Sequence, residues 1–200
     1  ELSDLIKFEI EDNYIFEDSN ILDYIKSVDI SKNNSVDCYD KIELTEKNTI
    51  SRNLKELHIG SANLKEFPKW LFDLPNIEKL SINCDSLERL PKDIGKLIKL
   101  KKLYIGCSNL NELPKEIGDL VNLKILNIYC ENLEELPSEI GNLENLKIFR
   151  LGRRFLNDNL KLIPKEIGKL INLKEFYISL SNLKELPKEI GYLASLKRLE

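Results

Sequence analysis

One interval, repeated with a single exception, governs most of this chain and limits what it can fold into. Lines begun at Leu54, Ile77, Leu100, Leu123, Leu146, Leu173 and Leu196 follow one another at intervals of 23, 23, 23, 23, 27 and 23. Self-similarity at a period of about 20 to 50 residues implies a stacked array, because a unit that short cannot bury its own apolar face. The line from Leu100 to Asn122, LKKLYIGCSNLNELPKEIGDLVN, shows the pattern. Its apolar residues at line positions 1, 4 and 6 (Leu100, Leu103, Ile105) end in an alternation of period 2. That predicts a short strand with Tyr104 facing away from the core. Leu113, Pro114, Ile117, Gly118 and Leu120 then predict the return. The proline fixes φ at the start of a short helical or extended segment, and the glycine suits an exit that needs φ above zero. Stacking such lines lays parallel strands about 4.8 Å apart along one side and the returns along the other.

Written as L-x-x-L-x-I-x-x-x-N-L-x-x-L-P-x-E-I-G-x-L-x-N, the line resembles the leucine-rich repeat family in its LPxEIGxL form, in six tandem copies. The resemblance implies an α/β fold: a right-handed leucine-rich repeat solenoid with a parallel β-sheet on the concave face and short helical or extended returns on the convex face. The style of the line is similar to repeats of bacterial surface and cytoplasmic proteins, of Ras-binding repeat proteins, and of large GTPases with a Roc-type domain. It implies a protein-protein interaction module. The alternatives are the targeting or regulatory arm of a larger multidomain protein, such as a GTPase or a surface protein, and a structural assembly element.

Two domains are expected, an acidic N-terminal cap over residues 1–53 and a repeat domain over 54–200 whose fifth line, 146–172, is the long one. Residues 1–53 hold 13 Asp or Glu against 6 Lys or Arg, while the rest of the chain is slightly basic. Within the cap, LIKFEI (Leu5, Phe8, Ile10) and IKSVDI (Ile25, Val28, Ile30) repeat the strand signature and read as degenerate lines. An independent small cap with a helix around Ile21 to Ile25 is the other possibility. At the far end, LKRLE halts within a strand signature, which predicts an open sheet edge available for self-association.

Composition removes several function classes. No apolar run reaches the roughly 20 residues of a membrane helix, so membrane insertion is not expected. A formal charge of −4 without a basic stripe argues against nucleic acid. The compartment is left open between cytoplasm and secreted or surface locations. Cys84, Cys107 and Cys130 share one position on successive lines, and period 2 points all three inward as a ladder of small buried hydrophobes. Parallel side-chain vectors and an odd number oppose disulfides, and no C-x-x-C occurs, so no metal is expected. No cofactor is expected and no catalytic residue is assigned. His58 is the one histidine, and no G-x-S-x-G, H-E-x-x-H, G-x-G-x-x-G or Walker pattern is present.

Recognition is therefore sought where the lines differ. Outward position 5 runs Glu9, Asp29, His58, Ser81, Tyr104, Asn127, Arg150, Tyr177 when the two degenerate lines are included. Position 7 contributes Tyr129, and position 3 contributes Ile125 and Ile148. Tyr104, Ile125, Asn127, Tyr129, Ile148, Arg150 and Tyr177 thus form a candidate partner-binding patch of the residue types in which binding energy concentrates. The extra residues of the long line fall beside it, between Leu151 and Leu160, and leave both in phase. They must bulge, and the bulge carries Arg153, Arg154 and Phe155. The arginines fit a carboxylate-bearing protein partner. Phe155 can either join that surface or fold back over the core.

Overall fold

The computed structural model describes residues 7–10, 55–60, 64–67, 69–152 and 159–200. Eight strands form one sheet in chain order: β1 (Lys7–Ile10), β2 (Glu56–Gly60), β3 (Lys79–Asn83), β4 (Lys102–Ile105), β5 (Ile125–Ile128), β6 (Ile148–Gly152), β7 (Glu175–Ser179) and β8 (Arg198–Leu199). All neighbours are parallel. Alternation sets the faces. In β2, Leu57 and Ile59 are buried between the partly exposed Glu56, His58 and Gly60, as a strand with one solvated face requires.

The register joins each residue to its line equivalent, so Leu80, Leu103, Leu126, Phe149 and Phe176 stand in one row. The long line keeps this register. Arg150 pairs with Tyr177 and Leu151 with Ile178, and Leu151 and Leu160 on either side of the insertion are both buried. Gly152, the last described residue before the insertion, has φ 75, and a Cβ there would collide with the Ser179 carbonyl oxygen. Only glycine combines that left-handed backbone with so close a neighbour.

At the acidic end, β1 hydrogen-bonds directly to β2, with Phe8 beside Leu57 and Glu9 beside His58. The LIKFEI signature thus joins the sheet. That pairing leaves no place for a strand between them, so the expected order with Asp29 standing between Glu9 and His58 does not hold. The IKSVDI signature and the alternative helix around Ile21 to Ile25 lie outside the described residues, as does Cys38.

Each return from Lys92 onward is a short 3-10 turn entered through proline. In the turn Lys115–Asp119, Pro114 has φ −68 and ψ 145. Its carbonyl accepts the Ile117 N–H at 3.0 Å, and the Ile117 carbonyl accepts that of Leu120 at 3.3 Å. Proline forfeits no donor at that point, and its ring pre-sets the extended entry. The glycine that follows has a different role from the one expected. Gly118 is not in the left-handed region; Gly152 is the one described glycine with positive φ. A Cβ on Gly118 would lie 2.6 Å from the Glu139 carbonyl oxygen of the next return, and Gly141 and Gly168 repeat the arrangement with Glu166 and Glu189. The absence of a Cβ lets neighbouring returns come into close contact.

The core is one continuous column of Leu, Ile, Phe and Cys running the length of the array. Phe149 and Phe176 stack within it at 5.2 Å between centroids, 6° from parallel. The edge before β5, β6 and β7 is held by side-chain amides: Asn122, Asn145 and Asn172 each donate at 2.8 Å to a carbonyl of the preceding line, those of Ile98, Val121 and Glu144. The two charged positions that open the return differ in exposure. Lys115 is exposed but Glu116 is half-buried, with one carboxylate oxygen shut off from solvent. The carboxylates of that column are wedged between returns and do not form a freely solvated face. Lys115→Ala is therefore the clean surface control, expected to shift stability by less than about 0.5 kcal/mol. Leu113→Ala empties a buried position and should cost about 2 to 3 kcal/mol in denaturant melts. Equal effects would reverse the assigned faces.

Cys84, Cys107 and Cys130 are buried free thiols, pointing inward as the alternation requires. The Sγ atoms of Cys84 and Cys130 lie 3.9 Å from the carbonyl oxygens of Ile59 and Ile105. Burial pushes the Cys107 thiol up to about 11, so almost none of it is thiolate near neutrality. A thiol reagent should label none of the three in the native protein and all three after denaturation. Fast native labelling would mean that the alternation has been assigned one residue out of phase.

Candidate protein-interaction face

The strand face gathers the expected patch on four adjacent strands, and the register gives its layout. Tyr104 stands beside Asn127, Asn127 beside Arg150 and Arg150 beside Tyr177, while Ile125 stands beside Ile148 at the outward position before it. Tyr129 follows β5 in the row that holds Gly106 before it and Gly152 after it. With no side chain on either flank, its ring is free of neighbours in that row. Ile125, Ile148, Tyr104, Tyr129, Arg150 and Tyr177 are all partly exposed. Arg153, Arg154 and Phe155 lie outside the described residues.

Asn127 differs from the rest. It is 6 % exposed and the one buried polar residue among those described, so it offers a partner almost no surface. Its Oδ1 accepts from Arg150 Nη1 at 3.5 Å, which makes it a support for the arginine and not a contact. A short side chain between a tyrosine and an arginine is overshadowed by both neighbours, a consequence of column order that a residue-by-residue reading passes over.

Arg150 is the hub. Its guanidinium carbon lies 4.6 Å from the centroid of the Tyr177 ring, and Nη2 is 3.9 Å from Glu175 Oε2. Tyr177 in turn donates its hydroxyl to the same Glu175 oxygen at 2.9 Å. From the next strand, Arg198 lies 5.3 Å from the Tyr177 ring and is paired with Glu200 through Nε at 2.6 Å. The two arginines thus flank one ring. Stacking on an aromatic face and pairing with a carboxylate both restrict the long side chain in advance of any partner. The sequence reading misses Glu175 and Arg198, although extending the position 3 column past Ile148 finds both. At the other end of the sheet Lys79 pairs with Glu56 at 3.1 Å, and His58 Nε2 lies 4.0 Å from Glu56.

No group of three or more metal-ligating side chains occurs among the described residues. No helix among them is long and apolar enough to cross a membrane. The face is a surface of aromatic, aliphatic and guanidinium groups.

Comparison with known proteins agrees with this architecture. The family description "Leucine-rich repeat region" matches residues 90–200, and the chain belongs to the leucine-rich repeat family. No curated protein matches it. Among solved structures, a leucine-rich repeat protein of Leptospira interrogans is similar at 31% identity with a TM-score of 0.53, over 78% of this chain and 45% of that one. A plant peptide hormone receptor, RGFR1, solved in complex with RGF2, is similar at 24% identity and TM-score 0.55, over 76% of this chain and 26% of the receptor. The Toll–Spatzle complex of Drosophila gives 20% identity and TM-score 0.56, over 76% and 24%. The last two show the fold alone. The chain spans less than half the length of each. Folds of this family are commonly protein-interaction modules and typically non-enzymatic scaffolds.

Proposed function

We propose that the chain binds a protein partner through its strand face, with Tyr104, Ile125, Tyr129, Ile148, Arg150 and Tyr177 as the contact surface and Arg153, Arg154 and Phe155 of the inserted loop at its margin. The observation that carries this reading is the Arg150, Tyr177 and Glu175 cluster, held together at 2.9 to 4.6 Å beside two partly exposed isoleucines. Pre-ordered Tyr and Arg side chains next to apolar surface lose little entropy on binding. The plant receptor and the Toll complex, each solved with a protein or peptide ligand, are precedents for the use of such a fold and no more. A second reading has the same face serving as the recognition arm of a larger protein, favoured by its similarity to under half of the Leptospira chain.

The test is a photo-crosslinker placed at Tyr129 and, as control, at Lys115 on the return side. A protein adduct formed in cells from position 129 and absent from position 115 supports the assignment. With that partner purified, Tyr177→Ala and deletion of Arg153 to Leu156 should each weaken binding by at least about 2 kcal/mol. The deletion returns the long line to the length of the others, so melting should show an intact fold. Adducts only from position 115, or unchanged binding by both variants, would move the function away from this face.

A further inference from the structure

A second surface runs along the edge where the strands begin. Line position 2 holds Lys101, Lys124, Lys147, Lys174 and Lys197 without interruption. They are stacked backbone to backbone, the N–H of each after Lys101 donating to the carbonyl of the lysine before it at 2.8 to 2.9 Å. Lys101 is neutralised by Glu78 at 2.7 Å, and its hydrogen bond holds the Glu78 carboxyl below the usual carboxylate range. The other four are exposed and have no ion pair among the described residues. Like charges on adjacent strands, about 4.8 Å apart, repel one another and favour a bound anion. Just upstream of three of these lysines, Ile98, Val121 and Ile171 are 58%, 49% and 55% exposed. The first two sit on carbonyls fixed by the asparagine amides. The edge is therefore a column of unpaired ammonium groups beside a rigid broken row of aliphatic ones.

We propose that this edge docks an acidic amphipathic helix of a partner protein, lying along the stacking direction. A column one residue wide selects a linear ligand. Acids at i, i+4, i+7 and i+11 of a helix rise about 5.5 Å per step on average, against about 4.8 Å for the strands. Over three steps the mismatch is about 2 Å, within the reach of a lysine stem. Apolar residues flanking those acids on the helix meet Ile98, Val121 and Ile171. An anionic membrane fits less well, because the column is bordered by exposed Asp119 and Glu144 on one side and half-buried Glu175 on the other. A plane of headgroups would press against those carboxylates, whereas a rod avoids them.

The probe is a synthetic alanine-based helix of about five turns with glutamates at i, i+4, i+7 and i+11 and leucines beside them. Its controls are the same helix with glutamines and one with the four glutamates spread around the circumference. Fluorescence anisotropy at low salt should show the patterned helix binding at least about tenfold tighter than either control, and weakening as salt screens the charges. Lys124→Glu, Lys147→Glu and Lys174→Glu together should abolish the preference, while Lys115→Ala on the return side leaves it unchanged. The corresponding Lys→Gln triple gives the same answer should charge reversal disturb folding. Equal binding of all three helices, or of parent and triple variant, would overturn the proposal. So would vesicles of phosphatidylserine and phosphatidylcholine that recruit the parent but not the triple variant when the helix does not bind.

Discussion

Phe149→Ala is expected to destabilise the protein by about 3 to 5 kcal/mol, the largest single-residue effect in the array. Phe149 is fully buried and stacked on Phe176 at 5.2 Å, so truncation removes both its own buried area and one face of its neighbour's. The position also matters. In a solenoid each line contacts only the next, and stability is a sum of line and interface contributions. The Phe149–Phe176 pair spans β6 and β7 on either side of the insertion, where a longer loop links the two lines. Its loss should therefore be felt unevenly. Amide hydrogen exchange ought to accelerate in β7 and β8 far more than in β3 and β4, and urea melts should broaden as the last lines unfold first. A loss below about 1 kcal/mol, or uniform acceleration throughout, would mean that the stack carries no special share of the coupling.

The row occupied by Phe149 and Phe176 also shows which parts of the fold are legible from spacing. Leu80, Leu103 and Leu126 precede them at one line position, so a period and an alternation suffice to place the row, its neighbours and the inward cysteines. The same arithmetic locates Arg150 beside Tyr177 across the long line, because Leu151 and Leu160 stay in phase. What it does not convey is how side chains share space within a row. Asn127 reads as an outward residue and is outward in direction, yet Tyr104 and Arg150 cover it; depth depends on the neighbours' size, not on parity. The glycine of each return misleads for a related reason. A glycine after a short helical segment suggests a left-handed exit, but the constraint on Gly118 comes from Glu139 in the next return, a contact between lines and not within one. The acidic end is hardest. A short signature identifies β1, but the partner of an edge strand is set by which surface is left open, and β2 accepts Lys7–Ile10 directly.

The glycine contact leads to the second large effect. Gly141→Ala should cost about 3 kcal/mol or more, although it adds a single methyl group. That methyl carbon would lie 2.6 Å from the Glu166 carbonyl oxygen and 2.9 Å from the Glu166 Cβ. Overpacking by one carbon typically costs about 1 to 3 kcal/mol when side chains can yield. Here the obstacle is backbone, and moving it separates two returns whose strands are fixed by register in the same sheet. The clash cannot be relieved on one side of the solenoid without strain on the other. Gly191 supplies the matched control, since it occupies the same place in the turn Lys188–Tyr192 yet has nothing within 4 Å of a built Cβ. Gly191→Ala should be neutral or stabilising by up to about 1 kcal/mol, because alanine restricts the unfolded chain and fits a helical backbone. Opposite signs for one substitution at two equivalent positions can arise only from the neighbouring line. Similar destabilisation at both would instead place the glycine requirement inside each return, in its own backbone conformation.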